Sequence, residues 1–95
     1  MRGVEGRPEE VVLRFRPPSA NFVGEEVWHP AQQLHWEPDD TLLYRVWVVI
    51  TTELQRWVYH YGRDVEVLAP DHLREWILAA AGSVAALGSN GHGKE

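Results

Sequence analysis

In the stretch Thr41-Leu42-Leu43-Tyr44-Arg45-Val46-Trp47-Val48-Val49-Ile50, Leu42, Tyr44, Val46 and Val48 fall on one side of an extended chain. Leu43, Arg45 and Trp47 fall on the other. A strand turns successive side chains to opposite faces, so this alternation predicts a strand over 41–50 with one wholly apolar face and one mixed face. Immediately afterwards the period changes. Thr51 or Thr52 can cap a helix, and Leu54, Trp57, Val58 and Tyr61 stand at i, i+3, i+4 and i+7, one helical face. Gly62 closes that helix at the position where a left-handed residue is favoured. A sheet strand feeding an amphipathic helix is the unit around which the remaining elements are placed.

Upstream, residues 32–37 alternate with Leu34 and Trp36 on one side, and Pro38-Asp39-Asp40 is turn chemistry. The connection is short enough to make 32–37 and 41–50 antiparallel neighbours. Residues 10–16 form a further predicted strand, with Val11, Leu13 and Phe15 on one face and Val12, Arg14 and Arg16 on the other. Pro17-Pro18 ends it. Ser19 is placed to cap a short helix over 20–27 that presents Ala20, Val23 and Val27, with Gly24 as its weak point. Downstream, residues 65–68 read as a fourth strand. Pro70 suits the first turn of a last helix that turns Leu73, Trp76, Ile77, Ala80, Val84 and Leu87 inward. The order is β-α-β-β-α-β with an extra C-terminal helix, an α+β ferredoxin-like pattern. It implies an antiparallel sheet with helices on one face and the other face open.

Ninety-five residues make one domain, and its core is small. Five Trp, three Tyr and two Phe are a large apolar load for that size. Residues 1–9 and the Gly-rich 88–95 read as flexible tails around a folded part over 10–87. The start MRGVEGRPEE has no apolar run, so no signal peptide is expected, and no run approaches a membrane span. The chain has no Cys, which is compatible with the reducing cytosol, and a cytoplasmic location is expected. The net charge is −5, nine basic residues against fourteen acidic. Duplex DNA binding usually rests on a basic excess, so autonomous DNA binding is disfavoured.

Catalysis finds little to stand on. The acid pairs Glu9-Glu10, Glu25-Glu26 and Asp39-Asp40 are sequence neighbours on surface or turn, not carboxylates facing across a cleft. Ser19, Ser83 and Ser89 sit in no nucleophile motif. The five His lack metal-ligand spacing, and His29 beside Pro30 is better placed to satisfy local backbone groups. No enzyme activity, metal or cofactor is expected. Trp57 and Trp76 are read as core. Arg14, Arg16, Arg45 and Trp47 share the predicted open sheet face, and Trp28 stands beside the loop break at Pro30. An aromatic among guanidinium groups on a sheet suits single-stranded nucleic acid. The same residues also suit a solvated face, or one that meets another domain through arginine stems.

Three segments carry a family resemblance: Val11-Val12-Leu13-Arg14-Phe15, then Trp28-His29-Pro30-Ala31-Gln32-Gln33, then Leu54, Arg56-Trp57, Gly62, Val65-Glu66-Val67-Leu68, Pro70 and Leu73-Arg74. In this order and spacing, over about 10–87, the chain resembles the C-terminal extension (WCX) domain of bacterial WYL-domain transcription regulators. The resemblance implies a ferredoxin-like accessory domain that helps form homodimers and packs near the WYL ligand site. In some members that site takes an effector such as single-stranded DNA. Arg14, Arg16, Arg45, Trp47, Trp28 and His29 are the residues expected at an effector or dimer interface, with the WYL domain of the same or a partner subunit as neighbour. The family's upstream DNA-binding and WYL domains have no counterpart within these 95 residues. The rival readings are a free-standing ferredoxin-like module for a small ligand and an autonomous single-stranded nucleic-acid binder.

Overall fold

A computed structural model describes residues 6–94 of the backbone and the side chains of 6–82. Its elements are β1 (Glu9–Phe15), α1 (Ser19–Gly24), β2 (Gln33–Trp36), β3 (Leu42–Val48), α2 (Thr52–His60), a 3-10 turn (Gly62–Asp64), β4 (Val65–Ala69) and α3 (Asp71–Lys94). The four strands form one sheet in the order β2-β3-β1-β4, and every neighbouring pair is antiparallel. Of the expected tails, residues 1–5 and 95 lie outside the described residues, Glu9 already belongs to β1, and the backbone of 88–94 continues α3. No helix among the described residues is long and apolar enough to cross a membrane.

The alternation in β3 does what its sequence implies. Leu42, Tyr44 and Val46 are buried beside Val11, Leu13 and Phe15 of β1 and Val65 and Val67 of β4. The register runs from Glu9 opposite Val48 to Phe15 opposite Leu42. Ala20 and Val23 of α1, Val58 of α2 and Leu73 of α3 pack on this same side, with Leu54, Trp57, Tyr61 and Ile77 around them. All three helices therefore cover one face of the sheet. Phe15 is the hub, meeting Tyr44, Trp57 and Tyr61 edge-on at ring-centroid distances of 6.1, 5.8 and 5.2 Å. Such edge-to-face contacts add to the area the rings bury.

The local signals at α2 hold. The Thr51 hydroxyl accepts from the Leu54 N–H, and Gly62 takes φ +55 just past the helix end. Between β2 and β3, the Asp40 N–H donates to the Glu37 carbonyl and the Glu37 N–H to the Thr41 carbonyl, with Asp40 at φ 68. This is a three-residue hairpin, a type I turn followed by a left-handed residue.

Several expectations need correction. α1 stops at Gly24, and Val27 is 76% exposed outside it. Ser19 caps nothing; Pro18 holds the N-cap position, and the Ser19 hydroxyl instead donates to Asp64 Oδ2 at 2.8 Å. Gly24 does more than weaken a helix, because a Cβ there would stand 2.5 Å from Trp36 Cζ2, so the strand side chain occupies the space. Trp76 is exposed rather than core, since α3 turns Leu73 and Ile77 to the sheet and leaves Trp76 at the rim. Pro70 precedes α3, and its carbonyl accepts from Leu73 and Arg74. Val84 and Leu87 lie outside the described side chains.

Candidate interaction surfaces

The helix-free face of the sheet is set by the strand registers. Glu10 lies opposite Trp47, Val12 opposite Arg45 and Arg14 opposite Leu43. Gln33 and His35 of β2 face Arg45 and Leu43 from the other side, and Glu66 of β4 faces Arg14. Arg14, Arg45 and Trp47 are thus brought onto one surface, as the alternation predicts. Arg16 is not, because β1 ends at Phe15. Its backbone N–H instead donates to the Asp64 carbonyl at 2.7 Å, at the corner where the chain turns into α1.

The electrostatics of this face differ from a bare basic patch. Arg14 Nε meets Glu37 Oε1 at 3.1 Å and its Nη1 meets Glu66 Oε1 at 3.4 Å, while Arg45 Nε meets Glu10 Oε2 at 3.5 Å. Each guanidinium has a carboxylate beside it. A phosphate bound here would have to displace a carboxylate or sit next to one. Exposed pairs of this kind contribute little to stability, roughly 0–1 kcal/mol each. Their larger effect is to cancel the field that a polyanion would need. Val12 is buried although it belongs to this face, flanked by Arg45 and Ala69 in the cross-strand row. Trp47 is the large apolar group left in water, 63% exposed. The hollows on the face are shallow and are lined by Gln33, His35, Leu43, Arg45 and Trp47.

Trp28 and His29 belong to a second region, which meets the first where His29 and Trp47 line one hollow with Val48, Thr51 and Leu54. The Trp28 indole lies on Trp57 with ring centroids 5.5 Å apart and donates from Nε1 to the Val23 carbonyl at 3.1 Å. His29 Nδ1 accepts from the Ala31 N–H at 2.9 Å, which leaves the proton of the neutral ring on Nε2. The loop is held by Gln32, whose Oε1 accepts from the Trp28 and His29 N–H groups and whose Nε2 donates to the Glu26 carbonyl. The sequence placed Gln32 only within the segment Trp28–Gln33 that carries the family resemblance, with no role of its own; its spacing behind Trp28-His29-Pro30 is the signal that could have given one. Trp28, His29, Tyr44, Val48, Leu54 and Trp57 surround a cleft of about 210 Å³. That is below the ~300–1,000 Å³ of sites that enclose a drug-sized molecule.

Two of the aromatic groups are electrostatically marked. Burial pushes the Tyr44 phenol up to about 12. Burial also raises Tyr61, against a smaller lowering from Trp57. Trp57 Nε1 is itself buried without an acceptor in good geometry, so the nearby Tyr61 hydroxyl is close enough to be influenced but not aligned as a partner. On the hairpin, hydrogen bonds from the Thr41 hydroxyl and N–H hold the Asp39 carboxyl below its ordinary value. None of these groups is paired as nucleophile and base. Among the described residues no group of three or more His, Asp or Glu is placed to hold a metal ion.

The three-segment pattern, now seen to form β1, the Gln32-held loop and the α2-β4-α3 run, is matched by the family model of the WCX domain over residues 7–85. The chain belongs to the WCX domain family. No curated protein matches it significantly. WCX domains are accessory domains of WYL-type regulators.

Proposed function

We propose that this WCX domain is an accessory regulatory domain of a bacterial WYL-type transcription regulator. It contributes to homodimer formation and effector sensing in the cytoplasm, and the open face of its ferredoxin-like sheet docks on the WYL domain. The ferredoxin-like assignment is supported by the β-α-β-β-α-β order, by the strand order β2-β3-β1-β4 with antiparallel neighbours throughout, and by helices on one side only. The observation that carries the functional reading is Trp47, 63% exposed on a sheet face that no helix among the described residues covers. An indole held by a rigid strand makes an interface anchor at low entropic cost. The WYL domain of the same or a partner subunit is its proposed neighbour.

The carboxylates beside Arg14 and Arg45 favour a protein partner here over nucleic acid. Sedimentation of the wild-type chain and of Trp47→Ala, each mixed with a WYL domain at matched concentrations, tests this. Weaker association of the variant with that domain, with an unchanged fold, is the expected result. Tight, steeply salt-dependent binding of a single-stranded oligonucleotide by the isolated chain would favour the nucleic-acid reading instead.

A further inference from the structure

β2 is the outermost strand of the sheet, and among the described residues no strand pairs with its outer edge. All four of its residues, Gln33, Leu34, His35 and Trp36, are exposed. The Glu37 N–H donates to the Thr41 carbonyl across the hairpin. Bonded pairs in an antiparallel ladder recur at every second residue. With Trp36 opposite Leu42 and Gln33 opposite Arg45, the bonded pairs toward β3 are therefore His35 with Leu43 and Gln33 with Arg45. The N–H and C=O groups of Leu34 and Trp36 consequently point away from the sheet.

Natural edges are commonly protected by Pro, Lys or a bulge, and β2 has none of these. At the other edge, β4 meets β1 through a register shift beside Val12 and Leu13 and runs directly into Pro70.

We propose that two copies of this domain pair antiparallel through β2, forming a continuous eight-stranded sheet with His35 on the two-fold axis. In that register Leu34 stands opposite Trp36 of the partner subunit, and Trp36 opposite Leu34 of the partner subunit. All four outward-facing residues then exchange backbone hydrogen bonds. The neighbouring register, with Leu34 on the axis, would need the Gln32 N–H, which is already given to the His29 carbonyl. The chosen register also places two apolar cross-strand pairs on the helix-covered side, where Leu34 and Trp36 are 36% and 47% exposed. This names a second copy of the chain as occupant of the edge and goes beyond the docking role given to the open face.

The test uses the full chain. Leu34→Pro removes one outward-facing donor from each copy and spares the ladder to β3, since Pro is tolerated where its nitrogen faces the free side of an edge strand. The dimer dissociation constant should rise by roughly tenfold or more, with circular dichroism unchanged. Because the chain has no Cys, His35→Cys carries a single thiol. Residues facing each other in a non-hydrogen-bonded pair have Cα atoms about 4.5 Å apart, within disulfide reach. His35→Cys should therefore cross-link far faster on oxidation than Trp47→Cys at the same concentration. Equal cross-linking of the two, a monomeric wild type, or a folded Leu34→Pro that dimerises as well as wild type would overturn the proposal. A dimer lost in Trp47→Ala but kept in Leu34→Pro would place association on the open face and leave the functional reading standing.

Discussion

The Ser19 hydroxyl donates to Asp64 Oδ2 at 2.8 Å across 45 residues of chain, and the carbonyl of the same Asp64 accepts from the Arg16 N–H at 2.7 Å. One residue of the 3-10 turn thereby fastens the corner where β1 becomes α1. Ser19 is 9% exposed, so its hydroxyl cannot exchange this partner freely for water. Hydrogen bonds to a charged acceptor contribute about 1.5–3 kcal/mol. Ser19→Ala and Asp64→Ala should each destabilise the domain by about 1–3 kcal/mol. In denaturant unfolding the double variant should cost clearly less than the two single losses together, because both remove one interaction.

Trp47 should behave differently from the core aromatics. Replacing it by Ala takes away a side chain that is 63% exposed. Stability should shift by no more than about 0.5 kcal/mol, as at other surface sites. Association with the WYL domain should weaken by about 1–3 kcal/mol in sedimentation. Phe15→Ala, at a position with no exposure, should cost about 3–5 kcal/mol on thermal or chemical unfolding.

Alkaline pH should unfold the domain through Tyr44. Its phenol is pushed up to about 12 from 10.0 by burial. The folded state holds the proton more tightly than the unfolded chain, so this contribution to stability is complete below pH 10 and is lost as pH rises toward 12. The slope should reach at most about 1.4 kcal/mol per pH unit in that window. Tyr44→Phe should flatten it in unfolding curves measured from pH 9 to 12.

Asp40 takes φ 68 at the end of the hairpin turn, a conformation that glycine adopts without the Cβ clash. Asp40→Gly should therefore raise the melting temperature, with a gain of about 0.5–1 kcal/mol after the added freedom of the unfolded chain is set against it. Asp40→Val should lower it. Thermal scans of the three proteins distinguish these outcomes.

The sequence determined by itself whatever depends on near neighbours along the chain. The period of two in β3 fixed which residues face the helices, and the period of 3.6 in α2 fixed the stripe that meets them. Thr51, Gly62 and Pro38-Asp39-Asp40 marked their turns through local backbone chemistry. The same local patterns carried the WCX resemblance and put Arg14, Arg45 and Trp47 on one face. Tertiary structure alone decided the remainder. Alternation assigns a residue to a face but says nothing of the strand that lies beside it. The pairing of Arg14 with Glu37 and Glu66, and of Arg45 with Glu10, appeared only once β1 lay between β3 and β4. Ser19 lost its expected capping role because Asp64, distant in sequence, offered a charged acceptor. Gly24 was required by a tryptophan from another element. The free edge of β2 likewise exists because β3, with one side taken by β1, leaves β2 outermost. These are outcomes of long-range register, and register is set by which surfaces can be buried together rather than by any preference readable along the chain.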